Sequence, residues 1–175
     1  MLLRPEASID VLNERAAALG WKLAGDESRA HGRPARRFWR PTPDSEVGWC
    51  EDHSLGVAHV YVTNAPALEA ELAALLPRLE RAELLAAARS ADLLTALGAL
   101  RALGVADFDT LSPEVRALLV RFMDHKDRMA RRAALHLCWV GAWKDLLPEI
   151  ERRRDDDPDL GAAWGRLADV LRGDA

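Results

Sequence analysis

The chain has 175 residues, enough to bury a core, and 49% apolar, 30% charged residues with net charge −4 speak against disorder and against a surface built to neutralise phosphate. No run approaches the roughly 20 apolar residues of a membrane span, and Pro5 and Glu6 interrupt any leader-like start. Cys50 and Cys138 stand far apart and form no motif, so a cytoplasmic protein with reduced, packed thiols is expected, with no cofactor and no metal.

In chain order, Ser8 caps a first helix over 8–19, with Ile9, Leu12, Ala16 and Leu19 on one face and Gly20 as its stop. From 21 to 63 the character changes. Short runs at 21–24, 36–40, 47–51 and 57–63, rich in aromatic and β-branched residues, are parted by Gly, Pro, Asp and Ser. They predict three or four antiparallel strands, with Val57, His59 and Tyr61 on one face and Ala58, Val60 and Val62 on the other. Residues 40–44 read as an exposed turn and 52–54 as a tight one.

Asn64 then caps a helix with Pro66 in its first turn, and all that follows is helical in pattern. Pro77 must kink or restart the Leu68–Leu72–Leu75–Leu76–Leu79 stripe. Leu93, Leu94, Leu97, Leu100 and Leu103 mark a helix stopped by Gly104. Ser112-Pro113-Glu114 opens the next, which carries Val115, Leu118, Leu119 and Phe122. A helix over 127–140 is stopped by Gly141, Trp143, Leu146, Leu147 and Ile150 carry another, and Asp157-Pro158-Asp159 opens the last. Leu75-Leu76-Pro77-Arg78-Leu79-Glu80-Arg81 returns as Leu146-Leu147-Pro148-Glu149-Ile150-Glu151-Arg152, with a degenerate copy at 118–122, and 89–104 aligns on 126–141. Helical units repeating at a few tens of residues bury their apolar faces by stacking. The expected organisation is a cap over 1–64 and helical repeats over 65–175.

Asp127-Arg128-Met129-Ala130-Arg131-Arg132-Ala133-Ala134-Leu135, then Gly141, Leu147-Pro148-Glu149-Ile150 and Asp156-Asp157-Pro158-Asp159-Leu160, resembles a short HEAT-like repeat, and the likeness extends over 65–172. It departs from the pattern where Gly161 replaces an Arg and where the middle copy lacks its Pro. The resemblance implies an α+β chain in which a small helix-and-sheet cap precedes a right-handed α-solenoid-like stack of about three helix pairs. It also implies a scaffold or adaptor for proteins, and in some such stacks a grip on nucleic acid.

Two basic clusters carry chemistry. One is Arg121, His125, Lys126, Arg128, Arg131 and Arg132, in which Arg128 and Arg132 recur with His136 at four-residue steps, as a phosphate- or acid-binding stripe or as a solvated stripe pairing with Asp124 and Asp127. Arg29, Arg33, Arg36, Arg37 and Arg40 surround Phe38 and Trp39, as in single-strand binding or as in an edge hairpin guarded by charge. Trp139 and Trp164 are candidate partner anchors. Cys50, His53 and His59, and His125, His136 and Cys138, lack the spacing of a zinc site. With no phosphate loop or nucleophile motif, a non-enzymatic protein-binding adaptor, including an immunity-type inhibitor, leads. Its rivals are a HEAT-like DNA-binding protein or alkylpurine DNA glycosylase, and a structural subunit of a larger assembly. The candidate partner-binding residues are Arg128, Arg131, Arg132, His136, Trp139, Trp164, Arg37 and Trp39.

Overall fold

A computed structural model of the chain describes residues 1–28, 34–52 and 55–173. It separates into two units, Met1–Arg81 and Ala82–Ala175.

In the first unit, helix α1 (Ile9–Leu19) starts where the Ser8 hydroxyl accepts from the Asp10 amide at 3.1 Å, and it closes at Gly20 in the left-handed region. Strands β1 (Lys22–Glu27), β2 (Ala35–Arg40), β3 (Glu46–Asp52) and β4 (Val57–Thr63) form one antiparallel sheet in chain order. Alternation places Trp39, Val47, Trp49 and Val60 on one side, where they are buried with Leu12 and Ala16 of α1. β1 runs past the expected end at Ala24 because Asp26 and Glu27 lie opposite Arg37 and Arg36 and pair with them. The tight turn expected at 52–54 is partly visible: the Asp52 carboxylate accepts from the Leu55 amide at 3.1 Å, while His53 and Ser54 lie outside the described residues.

Two local expectations change. Helix α2 (Pro66–Leu75) has Ala65, not Asn64, at its cap, with no side-chain hydrogen bond there. Asn64 instead adopts φ 55 and its side-chain amide donates to the Asp44 carbonyl at 2.9 Å, tying the β2–β3 turn to the end of β4. Residues 1–3 also gain a role: the Leu3 amide donates to Ala58 and the Val60 amide to Met1, which buries Leu2 and Leu3 beside β4. Leu72 of α2 and Leu76 just after it enter the same core. Residues 65–81, read from the sequence as the opening of the repeats, therefore belong with the sheet.

In the second unit come α3 (Arg81–Ala87), α4 (Leu93–Ala106), α5 (Pro113–Met123), α6 (Arg128–Gly141), a 3-10 turn (Lys144–Leu146), α7 (Leu147–Asp156) and α8 (Gly161–Arg172). Asp92, Ser112 and Asp127 cap α4, α5 and α6 by accepting amide hydrogens at 2.9, 3.4 and 2.7 Å. The two expected glycine stops are not left-handed caps. Gly104 lies inside α4, where an added Cβ would sit 2.8 Å from Leu137 Cδ2, so it marks a close crossing. Gly141 is the last residue of α6, under the Trp143 ring, and the left-handed turn falls on Ala142.

Helix α5 packs on α6 and α7 on α8, while α4 touches both α5 and α6, and α6 touches α8. Arg116–Glu149 and Arg152–Asp124 ion pairs join α5 and its C-terminal end to α7. The recurrent heptapeptide does not fold alike. Its first copy ends α2 at Leu75, leaves Leu76 extended and bridges Arg78 to Leu3, so Pro77 breaks the helix. Its second copy enters α7 with Pro148 in the first turn, where a missing amide costs nothing. The architecture is α+β.

Candidate functional site

Arg131 and Trp164 meet at one carboxylate. The Asp157 side chain, fully buried, accepts from Arg131 Nε at 2.9 Å, from the Asp159 and Leu160 amides at 3.0 and 3.1 Å, and from Trp164 Nε1 at 3.3 Å. Arg131 also donates to Asp159 at 2.6 Å and to the His125 and Lys126 carbonyls at 3.1 Å each. Burial alone would push the Asp157 carboxyl up, but the Arg131 guanidinium, the Trp164 indole and the two amides outweigh it and hold it below the usual carboxylate range. Trp164 is 0% exposed and Arg131 is saturated, so both hold α6 against the start of α8 rather than face a partner. The pairing expected for Arg131 exists, with Asp157 and Asp159 in place of Asp124 and Asp127. Asp124 pairs instead with Arg152 and Arg153 of α7.

The other residues of the α6 stripe come together at the surface. Arg132, His136 and Trp139, with Met129, Ala133 and Leu135 of the same helix and Arg101 of α4, line a groove of about 470 Å³. The two helices carry many small buried side chains, Ala96, Ala99, Ala102 and Gly104 on α4 and Ala130, Ala133 and Ala134 on α6, and Gly104 meets Leu137 where they come close. Trp139 is 39% exposed and Met129 48% exposed, high values for side chains of that size. Among the described residues the groove lining carries no carboxylate, and neither Arg101 nor Arg132 has an ion-pair partner. Arg101 Nε is buried and without a hydrogen-bond acceptor. Arg128, in the first turn of α6, is exposed at the surface and is not part of the lining.

Arg101 and Met129 were not singled out by sequence. Arg101 did leave a signal, as the one charge in the fourteen residues of α4. Met129 left none, since a Met next to a cap reads as ordinary helix.

Arg37 and Trp39, on the hairpin, lie on one face of β2, as alternation required. Trp39 is in the first unit's core, and Arg37 pairs with Asp26 and donates to Asn13 of α1 at 3.4 Å. Arg36 pairs with Glu27 and its guanidinium lies 4.6 Å from the Phe38 ring centroid. The hairpin is a charge-guarded sheet edge. Arg29 and Arg33 of that cluster lie outside the described residues.

Cys50 and Cys138 are free and buried, and burial pushes both thiols up, with the Asp52 charge adding at Cys50. Among the described residues no three His, Cys, Asp or Glu side chains converge as a metal site. No helix of the described residues is long and apolar enough to cross a membrane. No family model matches the chain, and no curated protein or solved structure matches it.

Proposed function

We propose that the protein is a non-enzymatic protein–protein interaction module, an adaptor or scaffold, that holds its partner on the face of the second unit where α4 and α6 meet. The observation that carries this is the groove itself, where an exposed Trp and Met lie among cationic side chains left without acidic partners. Trp and Arg dominate the energetics of protein interfaces, and Met adapts to the surface it meets. The HEAT-like solenoid of about three helix pairs belongs to the same proposal. It is supported by the pairing of α5 with α6 and of α7 with α8, and by the contacts of α4 with α6 and of α6 with α8. An immunity-type inhibitor, in which the partner is a toxic protein, is one form of it. A reducing, cytoplasmic setting goes with the two free thiols.

Affinity capture from the native host with the intact chain, beside its Trp139→Ala and Arg132→Glu variants, tests the proposal. One protein retained by the parent chain and lost from both variants is the expected outcome. Retention of nothing, or of the same proteins by all three, would count against it.

A further inference from the structure

The chemistry of the groove narrows the partner. Half of the second unit's arginines are in ion pairs among the described residues: Arg116 with Glu149, Arg131 with Asp157 and Asp159, Arg152 and Arg153 with Asp124, Arg154 with Asp155, and Arg172 with Glu151 and Asp169. Arg101 and Arg132, in the groove, and Arg128, at the head of α6, have no such partner among the described residues. Two of these guanidinium groups therefore share one cleft with His136 and with no carboxylate in its lining. The groove has an apolar part as well. Met129 and Trp139 are on the surface, with Ala133 and Leu135 beside them, and about 470 Å³ admits one large side chain with polar groups around it.

We infer that the α4–α6 groove takes an acidic segment of a partner protein, seating one large apolar side chain against Trp139 and Met129 and setting flanking carboxylates on Arg101, Arg132 and Arg128. This rests on the protein-binding reading above and specifies the chemistry of its partner. A guanidinium fork receives a carboxylate through two parallel hydrogen bonds, and in a partly closed cleft that pairing is strengthened. A nucleic acid strand is the poorer fit. Its affinity grows with the number of phosphates neutralised, whereas here two guanidinium groups and one imidazole share a single short cleft on a chain of net charge −4.

Selection of a random peptide library on the full chain tests this, followed by anisotropy titrations of the selected peptides and of a poly-dT oligonucleotide. The expected winners are rich in Asp and Glu around a single Trp, Phe or Leu, and they bind more weakly as salt is raised. Their affinity falls about tenfold or more in Arg132→Glu and in Trp139→Ala. Arg132→Glu regains affinity for the same peptide with Lys in place of Glu. Thermal melts check that the variants fold, and where a melt shifts, Arg132→Gln and Trp139→Tyr replace them. Neutral or basic winners, or tighter binding of poly-dT, overturn the inference. Acidic winners that bind the groove variants undiminished also overturn it, but leave protein binding through another face standing. No winner at all, together with an empty affinity capture, sinks both.

Discussion

Asp157 shows how much one side chain decides. From the sequence it is one acid in Arg152-Arg153-Arg154-Asp155-Asp156-Asp157, a charge-paired helix junction, and nothing marks it out from its neighbours. In the fold it is the acid of that run whose side chain is fully buried, and it gathers Arg131, Trp164 and two amides. Removing one partner of a buried pair leaves the other charge uncompensated, so Asp157→Ala is expected to cost about 3 kcal/mol of stability. Asp159→Ala, which removes a half-exposed partner of Arg131, is expected to cost less than about 1 kcal/mol. Urea titrations at neutral pH check both. A carboxyl held below its unfolded value stabilises the fold above that value, and the contribution disappears as pH falls through the folded one. The urea midpoint of the parent chain should thus hold to about pH 5 and drop below about pH 4, and Asp157→Asn should show a smaller drop. Cys50 and Cys138 behave oppositely, because burial raises both thiols and suppresses the thiolate. Ellman's reagent is expected to modify neither in the native protein and both in denaturant. Their free, buried state agrees with the expectation for two cysteines that form no motif.

Helix and strand positions were readable wherever the signal is local. Ser8, Ser112 and Asp127 cap because a short polar side chain reaches an amide two or three residues on, and no distant residue is needed. The glycines misled because two different needs select them. Gly20 takes the left-handed turn, whereas Gly104 leaves room for Leu137 of another helix and Gly141, where α6 does end, for the Trp143 ring two residues on. Gly161, the departure from the HEAT-like pattern, belongs to the second kind. A Cβ there would lie 2.5 Å from the Arg154 carbonyl oxygen, where the backbones of α7 and α8 come close together. Gly161→Ala is expected to destabilise by about 1 to 3 kcal/mol, despite the better helix propensity of Ala. Gly98→Ala, on the exposed side of α4 with open space around it, is expected to stabilise by about 0.5 to 1 kcal/mol. Thermal melts of the two variants read out the contrast.

For the whole molecule, charge pairing matters more than charge count. In the Arg-rich runs that suggested nucleic-acid binding, Arg36 and Arg37 pair with Glu27 and Asp26 in the first unit and Arg131 pairs with Asp157 and Asp159 in the second, and the chain's net charge is −4. Duplex DNA at low salt is therefore expected to give no saturable anisotropy change, and salt-sensitive binding with base release from alkylated DNA would instead favour the glycosylase rival. The same scale decides the unit boundary. Pattern alone assigned residues 65–81 to the helical part, because apolar spacing says that a helix has a buried face but not which partner buries it. Leu72 and Leu76 found that partner in the sheet core.

By itself the sequence determined the α+β class, the antiparallel strands and most helix starts, since each depends on alternation, periodicity or a cap within a few residues. Tertiary structure alone decided that two near-identical Leu-Leu-Pro segments fold differently, that Trp39 and Trp164 are core while Trp139 is surface, and that Arg101 joins Arg132 and His136 in one groove. Those outcomes depend on which surfaces meet across long stretches of chain, and a periodic pattern carries no record of its partner.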